Sequence, residues 1–139
     1  MRWFFLSAMI IISAFNCYGQ RKVADGTVAP GYVYVKADQE PVFKGGHGEW
    51  IRFLSKNMFV PDSCSVEEIQ SMVVVRCIVF KTGKVGNVAI IRGGSDCCNK
   101  NFIRLIELSN NKWIPAVVKG KFVNCYKEIP IIICLSTEQ

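Results

Sequence analysis

The chain has 139 residues, of which 50% are apolar, and it carries a formal net charge of +6. This length fits one domain with a single two-layer core, and the apolar content excludes a disordered tail. The 17 basic residues are scattered along the sequence, which argues against a nucleic-acid groove, where basic residues cluster with stacking aromatic side chains.

The first 19 residues have the layout of a secretory signal peptide. Arg2 precedes an apolar run over residues 3–15, and Cys17 and Gly19 are small residues at the −3 and −1 positions of a cut after Gly19. The run is shorter than the roughly 20 residues that span a bilayer as a helix. We therefore predict export, with cleavage or retention of residues 1–19 as a membrane anchor left open. A lipoprotein acylated at Cys17 is disfavoured, because the bulky Phe15 and Asn16 precede it where small residues are expected.

Seven cysteines are present, and cleavage after Gly19 would leave six of them. An even number in an oxidising compartment favours disulfides, but six cysteines allow 15 pairings and the sequence alone does not choose among them. Burial of several cysteines as small apolar residues is a second interpretation. A zinc site is disfavoured, because there is no CxxC pair and the only histidine, His47, stands alone. We predict no metal and no cofactor.

Hydrophobic periodicity in the first half predicts a helix followed by a hairpin. Apolar residues at spacings of three and four predict a helix over residues 49–59, which Pro61 ends. Alternation then predicts a strand over residues 72–81, with Val73, Val75, Cys77 and Val79 on one face. A turn at Gly83 leads to a returning strand over residues 85–90.

The second half predicts a helix and a last strand. Asn99 is expected to cap the helix, which ends at Asn110. An irregular segment follows from Trp113 to Gly120, and the last strand covers about 123–135. Residues 20–37 form a short linker in which residues 32–35 can pair as an edge strand. The order predicts an α+β fold over residues 38–136, with two helices packed on a three-stranded antiparallel sheet.

Five short motifs stand in order along residues 38–136. They are Glu40-Pro41-Val42-Phe43-Lys44-Gly45-Gly46, Phe53-Leu54-Ser55-Lys56-Asn57, the alternating Val73, Val75, Cys77 and Val79 with Gly83, Val85, Val88 and Ile90, the Trp113-x-Pro115 pair with Gly120, and the closing Pro130-Ile131-Ile132-Ile133-Cys134-Leu135. In this order and spacing they resemble the TonB C-terminal domain, the periplasmic part of the machinery that energises outer-membrane transporters. The resemblance covers nearly all of the chain after the predicted signal peptide.

The resemblance implies a periplasmic binding module, not an enzyme. Such a domain captures an extended peptide of a TonB-dependent transporter, or of another envelope protein, as an added strand at the sheet edge near residues 123–135. The implied partner-binding residues are Phe59, Val60, Pro61, Tyr126, Glu128, Pro130 and Ile132. The implied structural residues are Pro41, Phe43, Gly45, Gly46, Gly83, Trp113 and Pro115. The family also places the strands of Cys77 and Cys125 side by side, so these two are the preferred disulfide pair.

Two departures from the family pattern keep an alternative open. Val60 stands where the family has a tyrosine before the proline, and residues 20–37 are short beside the long proline-rich spacer of an energy transducer. The alternative is a disulfide-stabilised adaptor or self-associating protein without transporter coupling. The apolar outer strand face of Val74, Ile78 and Phe80 is either covered by residues 32–35 or a partner surface, such as that of a homodimer.

Overall fold

The computed structural model describes residues 31–65 and 72–132, and these residues form two helices and seven strands. The helices are α1 (Gly46–Asn57) and α2 (Asp96–Leu108). The strands are β1 (Val33–Tyr34), β2 (Val42–Phe43), β3 (Val73–Val79), β4 (Val85–Arg92), β5 (Trp113–Ile114), β6 (Ala116–Val118) and β7 (Lys121–Ile131). The predicted signal peptide and the last residues of the predicted final strand lie outside the described residues. Neither described helix has the length and apolar character needed to cross a membrane.

The main sheet has five strands within the described residues, so the predicted α+β class with two helices is confirmed but the predicted number of three strands is wrong. The antiparallel order β4-β3-β7 forms its centre. Two strands extend beyond the predicted three. The first, β1, runs parallel to β7, with Val33 opposite Asn124. The second, β6, forms a hairpin with β7 in the segment predicted to be irregular.

The β6–β7 hairpin depends on a two-residue turn. Lys119 and Gly120 both have positive φ, 49° and 77°, and Val118 pairs with Lys121 across them. Positive φ at both central residues is the geometry that matches the twist of a two-residue hairpin. The chain therefore reverses at once after β6, and β7 begins two residues earlier than predicted.

The core lies between the inner face of β3 and the two helices. Val73, Val75, Cys77 and Val79 are all buried there, which confirms the predicted face. From α2, the buried side chains are Cys98, Phe102, Leu105 and Ile106. The predicted capping role of Asn99 is wrong, because α2 begins at Asp96 with Ser95 at the N-cap position.

The outer face of β3 is not the open apolar surface that a homodimer through this face would use. Val74 and Ile78 are buried and Phe80 is half-buried, while Arg76 is exposed. The Arg76 guanidinium lies over the ring of Tyr126, 5.6 Å from its centroid. Val74 and Ile78 therefore present little apolar surface on this face, and β1 lies beside β7 in the sheet.

Candidate functional site

An aromatic cluster joins α1 to the short β2–β5 pair. Phe43 pairs with Trp113 across the two strands, and the two rings meet edge to face at 5.6 Å between centroids. Trp50 of α1 lies 5.2 Å from Phe43 and 5.6 Å from Trp113. Nε1 of Trp113 donates to Oγ of Ser109 at 2.9 Å, so the buried polar atom of the indole has a partner.

The predicted structural residues surround this cluster. Pro41 is fully buried beside Phe43, and Pro115 lies between β5 and β6. Gly45 and Gly46 at the start of α1 have φ of 88° and 80°. Residues with a Cβ rarely adopt this left-handed conformation. Gly83 has φ of 85°, and a Cβ there would lie 2.9 Å from the carbonyl oxygen of Trp113. The β3–β4 turn therefore closes against the aromatic cluster.

One edge of β7 is open. Residues 125–131 of β7 pair with β3 on one side. β1 and β6 pair only with residues 121–125 of this strand. In the part of the chain that the structure describes, residues 126–131 therefore have a strand on one side alone, and the other side presents the backbone N–H and C=O groups of an edge strand.

A cavity of about 340 Å³, which we call the edge groove, follows this open side. It is lined by residues from both faces of β7, Lys127 and Ile129 from the inner face and Glu128 and Pro130 from the outer face. Because β3 occupies one side of the strand, a cavity that contacts both faces lies along the other side. Its remaining walls are Pro41, Val42, Phe43, Gly46, His47, Trp50 and Trp113.

One of the two charged side chains that line the edge groove, Lys127, forms an ion pair. Nζ of Lys127 lies 3.1 Å from Oε2 of Glu40, and the Lys127 side chain is half-buried. The remaining wall of the groove is apolar and aromatic, apart from His47 and Glu128. This combination of an unpaired backbone edge with apolar walls suits an extended chain that carries apolar side chains at alternate positions.

The structure brings four of the seven predicted partner-binding residues together. Tyr126, Glu128 and Pro130 alternate along the outer face of β7, and Ile132 follows directly as an exposed side chain. The corner of Phe59, Val60 and Pro61 is elsewhere and does not line the edge groove. Phe59 is exposed, whereas Val60 packs against the core.

Of the residues that line the groove, Glu128 and Pro130 were predicted as binding residues, whereas Trp50, His47 and Val42 are examples that were not. Trp50 lies in the helix predicted over residues 49–59, and His47 was weighed as a lone zinc ligand. Val42 is exposed between the buried Pro41 and Phe43. The alternation of Pro41, Val42 and Phe43 was the available signal, since it places the valine on the face opposite the core.

The predicted disulfide between Cys77 and Cys125 is wrong, because both are free and buried. In the β3–β7 register Cys77 lies opposite Lys127, and Cys125 lies opposite Val79. The two cysteines are therefore diagonal neighbours, for which Cα atoms are about 7–8 Å apart, beyond the usual reach of a disulfide. Among the described cysteines, the disulfide joins Cys64 to Cys97, with Cα atoms 5.8 Å apart.

Burial raises the pKa of the Cys77 thiol to about 12, against a smaller opposing effect of Lys127. Because the ordinary value is 9.0, the neutral thiol contributes stability below pH 9 that is lost as the pH rises toward 12. We expect the stability difference between wild type and Cys77→Ala to shrink over this interval. Urea denaturation of both proteins from about pH 8 to about pH 11 measures it. A difference that stays constant would contradict the prediction.

The edge groove places backbone hydrogen-bonding groups beside a mostly apolar wall. No family model matches the chain, and no curated protein or solved structure matches it.

Proposed function

We propose that the chain is a periplasmic, TonB-C-like protein-binding module that holds an extended peptide as an added strand along residues 126–131. The peptide would belong to a TonB-dependent outer-membrane transporter. The observation that carries the proposal is the open side of β7, opposite β3 and directly beside the edge groove. In strand addition, backbone hydrogen bonds supply affinity and pockets for alternate side chains supply selectivity.

The dimensions of the site suit a short guest strand. Six residues of β7 present an open edge of about 20 Å at roughly 3.3 Å per residue. A guest side chain directed toward the groove would contact the exposed Val42, so apolar residues are expected at alternate guest positions. The net charge of +6 favours approach of acidic segments.

The disulfide supports the proposed compartment. A bond between Cys64 and Cys97 persists in an oxidising environment such as the periplasm. It also fits the alternative, a disulfide-stabilised adaptor that binds a different partner without coupling to transporters. The identity of the bound peptide distinguishes the two proposals.

The direct test is titration of the isotope-labelled protein with peptides from transporter N-termini, followed by amide NMR. We expect the largest shifts and the strongest slowing of hydrogen exchange among the amides of residues 126–131, Pro130 excepted because it has no N–H, with affinities in the micromolar to millimolar range. A peptide with N-methyl groups on alternate residues is the control, since it keeps the side chains but removes backbone donors. Shifts centred on the Phe59 corner, or no binding at millimolar peptide, would contradict the proposal. Binding confined to peptides from other envelope proteins would favour the adaptor.

Two exposed apolar residues offer a matched pair of variants. Val42 is 49% exposed and lines the edge groove, whereas Ile51 is 46% exposed on α1 and does not. We expect Val42→Asp to weaken peptide binding about tenfold or more, since it places a charge where an apolar guest side chain is buried. Ile51→Asp should leave the affinity within about twofold. Isothermal titration with one peptide measures both, and equal losses would exclude a specific role for the groove.

A further inference from the structure

Three sulfur atoms lie together where the loop after α1 meets the start of α2. Cys64 and Cys97 form the disulfide, and the Cys98 thiol donates to Sγ of Cys64 at 3.2 Å. All three sulfurs lie within 4.8 Å of one another. Cys98 is 2% exposed, whereas Cys64 and Cys97 are half-buried. A buried free thiol is thus in direct contact with a more accessible disulfide.

We propose that Cys64, Cys97 and Cys98 form a thiol–disulfide exchange site whose external substrate is an accessible disulfide of another molecule. In the first step the Cys98 thiol releases its proton to water, and the thiolate attacks Sγ of Cys64. The Cys64–Cys98 bond forms as the Cys64–Cys97 bond breaks, and the electron pair leaves on the sulfur of Cys97. The number of disulfides is unchanged, so this step needs no oxidant or reductant.

The exchange moves the free thiol to a better position for reaction. Cys97 is more exposed than Cys98 and lies in the first turn of α2, where backbone N–H groups favour a negative charge. No side-chain cap is hydrogen-bonded at this end of the described helix. Oγ of Ser63 also lies 3.8 Å from Sγ of Cys97. The Cys97 thiolate, which leaves in the first step, is therefore the sulfur that an external molecule can reach.

In the second step the Cys97 thiolate attacks one sulfur of the external disulfide. A mixed disulfide forms on Cys97, the external sulfur–sulfur bond breaks, and the second half of the substrate leaves as a thiolate. Cys77 and Cys125 lie on β3 and β7, are buried, and are not part of the sulfur cluster. They serve as internal controls that should stay unmodified in the folded protein.

The test uses the full chain with excess oxidised glutathione, an acid quench, and peptide mapping without reduction. Tandem mass spectrometry then assigns the adduct to Cys97 or to Cys98. We expect glutathione on Cys97 together with a Cys64–Cys98 linkage. In Cys98→Ser the adduct should be lost from this cluster and the Cys64–Cys97 bond should remain.

Glutathione on Cys98 with the Cys64–Cys97 bond intact would overturn the proposal, because the external disulfide would then have reached the buried thiol directly. A Cys97–Cys98 linkage, or no adduct on any of the three cysteines in the wild type, would overturn it too. Cys97→Ser gives a separate test, in which Cys64 and Cys98 should be linked after oxidation. Free thiols at both positions of this variant, with folding verified by circular dichroism, would exclude the first step.

Discussion

Replacement of Trp113 by alanine is expected to lower the free energy of unfolding by about 3–5 kcal/mol. The side chain is 3% exposed and contacts the rings of Phe43 and Trp50. Its loss opens a large cavity and deprives the buried Ser109 hydroxyl of the indole donor. Small domains are stable by only about 5–15 kcal/mol, so this change alone brings the protein close to unfolding.

Urea denaturation followed by circular dichroism measures the effect of Trp113→Ala. The matched control is Ile114→Ala in the neighbouring position of β5, where the side chain is 42% exposed. We expect this control to change the stability by less than about 1 kcal/mol. Similar losses of unfolding free energy in the two variants would show that the aromatic cluster does not make a special contribution to stability.

Replacement of Cys64 by serine is expected to lower the free energy of unfolding by about 3–4 kcal/mol. Cys64 and Cys97 are 33 residues apart in sequence, and the chain-entropy model assigns this range to a loop of that length. The comparison is made between oxidised wild type and Cys64→Ser by urea denaturation. With a reducing agent present the two proteins should have nearly the same stability, and a persistent large difference would locate the effect in packing instead.

Cys97→Ser provides the matched variant for this prediction. If Cys98 takes the place of Cys97 as the partner of Cys64, most of the cross-link's stabilisation is kept. The loss in Cys97→Ser should therefore be clearly smaller than the loss in Cys64→Ser. Equal losses would show that Cys98 does not replace Cys97.

The faces of the central strand were predictable because they depend on local periodicity. Residues in β3 alternate between two faces whatever their neighbours are, so Val75 and Cys77 were assigned correctly to the core. The disulfide was not predictable in this way. It depends on the register between β3 and β7, and a displacement of two residues keeps Cys77 and Cys125 on one face while separating them.

The candidate site was also predictable only in part. The row of Tyr126, Glu128 and Pro130 follows from alternation within one strand, and the structure confirms that they share a face. Much of the opposite wall of the edge groove comes from residues far earlier in the sequence, such as Val42, and only tertiary packing brings them beside β7. The hairpin before β7 was missed because Lys119 carries no sequence signal for its positive φ.

Pro130 restricts how copies of this protein can associate side by side at high concentration. Proline has no N–H group, and Pro130 lies opposite Val74 in the stretch of β7 that is paired on one side. Prolines at sheet edges interrupt the continuous hydrogen-bond ladder that edge-to-edge polymerisation requires. A short guest along residues 126–131 meets the missing donor only near one end of its pairing, whereas a continuous ladder between copies must cross it. We therefore expect an edge that accepts brief segments yet resists growth into fibrils.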